Sequence, residues 1–139
     1  MMDWLECFRK RIIKEVSEDA GLIASLLKTS ENKIKSSEKL GLSEETATSK
    51  LSLAYDSLRE ILEALALKKG YKIYNHECYV EFLREVMNKG EKAEEFDEIR
   101  KIRNSVNYYG KEISAEETKE IIEKIKNIRK FILELLIKI

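Results

Sequence analysis

The chain has 139 residues, 43% of them hydrophobic and 37% charged, with no proline, no glutamine and five glycines. That length suits one domain spanning 1–139 with a sizeable core, and charge this dense with so few breakers predicts an all-α protein with solvated outer faces. The 26 lysines and arginines balance 26 aspartates and glutamates, which excludes a global field toward nucleic acid or membrane and leaves only a local patch for any such binding.

Glycine just past a helix accepts the left-handed conformation that ends it, so Gly41, Gly70, Gly90 and Gly110 divide the chain into helices. Gly21 lies inside a helical pattern. The first predicted helix runs from about Asp3 to Lys39, with Trp4, Leu5, Phe8, Ile12, Val16, Ala20, Ile23 and Leu27 stepping by three or four. Ser43 is the expected N-cap of the second, Glu44 to Lys69, in which Leu51, Ala54, Leu58, Ile61, Leu62 and Leu65 line one side. Asn75 is the expected cap of the third, which carries Cys78, Tyr79, Phe82, Leu83, Val86 and Met87. The fourth runs from about Lys92 to Tyr109, with Phe96, Ile99, Ile102 and Val106 apolar. The last opens on "SAEE", Ser114 to Glu117, a capping box. Its Ile121, Ile125, Ile128, Ile132, Leu135 and Ile139 suit a bundle core or a dimer seam.

"YKIYNHECY" contains β-formers, but it reads as a linker without a partner strand. Short loops between long helices then predict an up-and-down antiparallel bundle of four to five helices. Cys7 and Cys78 are far apart in sequence and form no metal-spaced pair. They are expected to be two reduced, partly buried thiols in a cytoplasmic protein. The N-terminal stretch lacks the apolar block of a signal peptide, and nothing approaches the span of about 20 apolar residues that crosses a membrane. No metal site and no cofactor is expected.

Two polar constellations remain. In the second helix, Asp56, Arg59, Glu60 and Glu63 are neighbours at spacings of three and four. They form either a polar inner wall facing the fourth helix or a solvated face. His76, the one histidine, is read as a structural residue near a helix start. In the fourth helix, "DEIRKIRNSVNYYG" places Arg103 at the edge of the apolar stripe of Phe96, Ile99 and Val106, flanked by Arg100, Asn104, Asn107 and Tyr108. Burying a guanidinium alone is costly, so Arg103 calls for a carboxylate such as Asp56 or Glu60, a helix terminus or a phosphate.

"FDEIRKIRNSVNYYG" resembles the signature of the HEPN superfamily, helical proteins of prokaryotes often encoded beside a minimal nucleotidyltransferase. The family motif is Arg, usually followed by Asn, then three further residues and His. Here "RNSVNY" supplies Arg103 and Asn104, with Tyr108 where the histidine would stand. "AYDSLREILEALALKKGYKIYNHE" resembles the family's second helix and linker, so the likeness covers roughly residues 45 to 112. It implies a homodimer with two motif copies at a shared cleft, and in many members metal-independent ribonuclease activity. Carried over, Arg103 would hold phosphate, Asn104 would orient the site and Tyr108 would take the catalytic histidine's place. Arg100, Asn107 and Tyr109 would contact RNA or nucleotide, with Asp56, Arg59, Glu60 and His76 in support.

The departure at Tyr108 matters physically. A phenol has a reference pKa of about 10 against about 6.5 for imidazole, so it is a poor base at neutral pH. General acid–base catalysis is worth roughly 10²–10⁴ in rate. The resemblance therefore implies a degenerate site that binds RNA, nucleotide or a nucleotidyltransferase partner in a toxin–antitoxin-like pair. The alternatives are an active ribonuclease toxin using Arg103 and Tyr108, with His76 as a conceivable substitute imidazole, and a purely structural interaction module. In some members a tyrosine two places after the histidine is modified. That place here is Gly110, with tyrosines at 108 and 109.

Overall fold

A computed structural model describes residues 2–138, apart from the side chain of Tyr108. Its elements in chain order are α1 (Trp4–Arg9), β1 (Ile13–Glu15), α2 (Ala20–Lys39), α3 (Ala47–Lys68), β2 (Tyr71–Ile73), α4 (His76–Glu81), a π-helical turn (Phe82–Val86), α5 (Gly90–Tyr108) and α6 (Ala115–Lys138). The protein is an all-α helical bundle with one very small sheet.

The centre of the bundle is α3. Leu51, Ala54, Tyr55, Leu58, Ile61, Leu62 and Leu65 are all at most 1% exposed. A helix apolar on so many sides belongs inside, and here α2, α5 and α6 cover it. Small hydroxyl residues let α2 and α3 approach closely. Ser30 Oγ donates to the Ser57 carbonyl (2.7 Å) and Ser57 Oγ to the Ser30 carbonyl (2.8 Å). One step along, Ser37 Oγ donates to the Lys50 carbonyl at 2.9 Å. Partners that rise on one helix as they fall on the other make the pair antiparallel. The ion pairs Arg129–Glu31 (2.8 Å) and Lys126–Glu38 (3.0 Å) set α6 antiparallel to α2 in the same way. Arg129 Nε also donates to Ser57 Oγ at 2.9 Å, so one guanidinium joins three helices. The buried Lys50 ammonium donates to the Ser37 and Leu40 carbonyls (2.5 and 2.7 Å), which satisfies the otherwise orphaned C-terminal end of α2.

Several caps follow the sequence. Asn75 Oδ1 accepts from the Glu77 amide at 2.6 Å, and Ser114 Oγ accepts from the Glu117 amide at 3.1 Å. Ser43 Oγ accepts from the Thr46 amide at 3.2 Å, but it caps a turn, and α3 begins at Ala47. Gly70 and Gly110 adopt the left-handed conformation, at φ 93° and 66°. Gly41 does not, and Gly90 opens α5 instead of ending the helix before it. Gly21 lies in the first turn of α2.

The N-terminal third departs from the expected single helix. The chain breaks at Arg11, which sits at φ 59°, and then pairs as β1 with β2 in antiparallel register, Ile13 opposite Ile73 and Glu15 opposite Tyr71. Asp19 starts α2 afresh, its carboxylate accepting from the Leu22 amide at 3.0 Å. "YKIYNHECY" thus has a partner strand after all, roughly sixty residues upstream. The pairing buries Ile13 and Ile73, and it seats Trp4 against Phe8, Tyr71 and Phe82 at centroid distances of 5.4, 5.2 and 5.9 Å. The cysteines, expected as free thiols, form a Cys7–Cys78 disulfide with their Cα atoms 6.2 Å apart. It ties α1 to α4.

Candidate functional site

The site is assembled by three helices and the strand that leads into one of them. From α3, Tyr55 is fully buried and stacks on Phe96 of α5, with centroids 6.1 Å apart and planes inclined by 13°. The Arg103 guanidinium, from α5, lies over the Tyr55 ring, 5.1 Å from its centroid. That is cation–π distance, and it gives the side chain a fixed seat. His76 is the first residue of α4 because Asn75 caps that helix. Its Nδ1 lies 3.0 Å from the Tyr55 hydroxyl.

Arg103 and His76 border an open cleft of about 290 Å³. Tyr74, His76 and Glu77 form one wall and Arg100, Arg103 and Asn104 the other. Arg100 is braced by Asp97, whose Oδ1 accepts from its Nε (3.0 Å) and its second guanidinium nitrogen (2.7 Å). Burial alone would raise the Asp97 carboxyl. The hydrogen bonds and charges of Arg100 and Lys101 outweigh that and hold it below its ordinary value.

His76 is pushed down to about 4, first by burial and then by the positive fields of Arg59 and Arg103, with Asp56 pulling the other way. It is therefore a neutral imidazole at pH 7. Burial likewise raises the Tyr55 hydroxyl well above its ordinary value, so it keeps its proton. Two neutral groups share one hydrogen bond. With the ring proton on Nε2, Tyr55 donates to Nδ1. With the proton on Nδ1, His76 donates to the Tyr55 hydroxyl oxygen and Nε2 carries the free lone pair. The second tautomer can accept a proton, but a base with so low a pKa drives proton abstraction weakly. The arrangement is chemically better suited to holding an anion with Arg103, Arg100, Asn104 and an imidazole N–H than to fast acid–base turnover.

The expected site residues distribute unevenly. Arg100, Arg103, Asn104 and His76 converge on the cleft. Asn107 and Tyr109 are exposed toward the end of α5, Tyr109 at 83%. The side chain of Tyr108 lies outside the described residues. Asp56 and Arg59 act on His76 through their charge, and Arg59 is held by Glu63 at 3.0 Å. Glu60 points to the far side of α3, buried against α2, where it accepts from Thr29 and pairs with Lys33 at 2.6 Å. The second-helix acids and base therefore do not form one wall toward α5. Sequence reasoning passed over Tyr55 and Tyr74. The signal for Tyr55 was its place one turn before Arg59 on a helix otherwise lined with Leu and Ile, where a phenol needs a polar partner.

Among the described residues no group of three or more His, Cys, Asp or Glu side chains could hold a metal ion, and no helix is long and apolar enough to cross a membrane. Fold and site together define a helical bundle with a cleft lined by two arginines and one histidine. Comparison with protein-family models, curated proteins and solved structures finds no match to this chain.

Proposed function

We propose that the chain is a HEPN-like protein that binds the phosphate of RNA or of a nucleotide in this cleft, as part of a toxin–antitoxin-like pair with a minimal nucleotidyltransferase. One observation carries the reading. His76, from a segment that looked like a linker, is brought beside Arg103, Arg100 and Asn104, so the motif arginine faces an imidazole although its own helix supplies none. Arg103 offers a planar fork of donors to phosphate oxygens, and Arg100 adds a second cation once Asp97 yields part of its hold. In the resembling family two copies of the site meet at a dimer cleft, and this reading includes a homodimer. It also places the protein in the cytoplasm, where a disulfide persists chiefly in heat-adapted organisms, a setting that the lack of glutamine and the wealth of Lys, Glu and Ile fit.

The test is fluorescence anisotropy with a short single-stranded RNA in EDTA, comparing wild type with Arg103→Ala. Losing one charge-assisted contact should weaken binding about tenfold or more. It should also flatten the salt dependence by about 0.7 in log–log slope, as one phosphate contact on a single strand requires. An Arg103→Ala variant that keeps its circular dichroism and melting curve and binds as wild type does would falsify the reading.

A second reading, cleavage, is favoured by the Tyr55–His76 pair, whose Nδ1-protonated tautomer leaves Nε2 as a base. Slow RNA cleavage in EDTA that disappears in both His76→Ala and Arg103→Ala would establish it. Intact RNA after long incubation removes it and leaves binding alone.

A further inference from the structure

We infer that Tyr74 is a stacking platform for a nucleobase, so that the cleft takes single-stranded RNA in preference to a duplex. The inference rests on the phosphate-binding reading above. Tyr74 is 59% exposed, whereas Tyr55 and Tyr79 are at most 2% exposed and Tyr71 is packed against Trp4. The strand geometry explains the difference. Successive side chains point to opposite faces, so Tyr71 and Ile73 turn to the core while Lys72 and Tyr74 turn out.

Its backbone is held on both sides. The Tyr74 amide donates to the Ile12 carbonyl at 2.9 Å, extending the β1–β2 ladder, and the next residue, Asn75, is bound to the first turn of α4. A large ring is thus presented on a fixed stretch of backbone at the wall of a cleft whose opposite wall carries Arg100 and Arg103. The Lys72 ammonium lies over one face of the ring, 5.8 Å from its centroid, and adds a third cation there. Glu77 is the one carboxylate among the residues lining this cleft.

An exposed aromatic face beside cations is what an unpaired nucleotide needs. The base stacks on the ring and the phosphate reaches the guanidinium. Every base has such a face, so the contact tolerates sequence. In a duplex the base faces are taken by neighbouring pairs, so Tyr74 then contributes nothing.

The experiment measures anisotropy of a fluorescein-labelled ten-nucleotide single strand and of a duplex of the same length. The proteins are wild type, Tyr74→Ala, Tyr74→Leu and Tyr74→Phe. Loss of one base–aromatic stack should weaken single-strand binding about 5- to 100-fold in Tyr74→Ala and Tyr74→Leu, with Tyr74→Phe within about twofold of wild type. Duplex binding should be unchanged by all three. Circular dichroism and melting curves of Tyr74→Leu that match wild type show that its loss is not a folding effect. Three results overturn the inference: wild-type single-strand affinity in Tyr74→Leu, an equal loss for the duplex, or a loss in Tyr74→Phe as large as in Tyr74→Ala. Arg103→Ala, run alongside, separates the two claims. Unchanged binding there sinks the phosphate reading itself, whereas a loss there with Tyr74→Leu unaffected sinks only the platform.

Discussion

Reducing the Cys7–Cys78 disulfide should destabilise the protein substantially, and by an amount that the loop length sets. The bond joins residues 71 positions apart. Loop-closure entropy for a loop of that size constrains the unfolded chain by about 4 kcal/mol. A chain of 139 residues has an unfolding entropy near 0.3 kcal/mol per degree at its midpoint, from about 2.1 cal/mol/K per residue. The melting temperature should therefore fall by roughly 10–15 °C. Both sulfurs are fully buried, so reduction is best done in denaturant, followed by refolding with reductant. A Cys7→Ala/Cys78→Ala variant supplies a reductant-free control. Circular dichroism at 222 nm follows the bundle. Fluorescence of Trp4, the one tryptophan, follows the N-terminal segment through its contacts with Phe8, Tyr71 and Phe82. In the reduced protein the Trp4 transition should come first, because α1 and β1 lose their covalent tie while α2, α3 and α6 keep their packing. Melting curves that coincide within about 2 °C with and without reductant would refute the reasoning, as would two titratable thiols in the unfolded, unreduced protein.

Two further outcomes follow from the same structure. His76 has a folded pKa of about 4, below its unfolded value of about 6.5. The stability tied to its neutral form is therefore fully present above pH 6.5 and is lost as pH falls toward 4. With the imidazole only partly buried, the effect is discounted to about 1–2 kcal/mol. Wild type should lose that much more urea stability than His76→Asn between pH 7 and pH 4.5, and equal losses would show that the histidine is not desolvated. At Gly70, φ is 93°, so Gly70→Ala should cost about 1–2 kcal/mol by chemical denaturation. Gly41 has no positive φ and nothing within 4 Å of an added Cβ. Gly41→Ala should thus be neutral or stabilise by up to about 1 kcal/mol, and a matching penalty at both glycines would contradict the backbone assignment.

The helices that proved legible in the sequence are those whose signals are local. Periodic Ile in α6, the Leu and Ala positions of α3 and the caps at Asn75 and Ser114 each need only a few neighbouring residues to act. What was not legible is non-local. Phe8, Ile12 and Val16 satisfy helical spacing by coincidence, and only the presence of β2 makes Ile13–Glu15 a strand. The same holds for the cysteines. Spacing alone reads them as separate thiols, and their meeting depends on α1 folding back across α4. Glu60 sits one turn from Asp56, yet its carboxylate turns toward α2, where Thr29 and Lys33 hold it. The cleft was half legible. Arg100, Arg103 and Asn104 share a helix, so their grouping follows from spacing, whereas the arrival of His76 opposite them depends on where a short segment is held.

That holding is the step connecting fold to site. α4 has six residues, well below the roughly 12–15 at which an isolated helix becomes marginal in water, so its own propensity cannot position His76. Constraints from outside do so. β2 pairs with β1 immediately before Tyr74, and Cys78 is bonded to Cys7 two residues after His76. Behind the wall, Tyr55 binds His76 from the rigid centre of the bundle. The N-terminal segment anchors both ends of the stretch that forms the cleft's second wall, through the Ile12–Tyr74 backbone hydrogen bond and the Cys7–Cys78 disulfide. A chain with the same α3 and α5 but without this clasp would keep its arginines in place and lose the defined position of the tyrosine and histidine that face them.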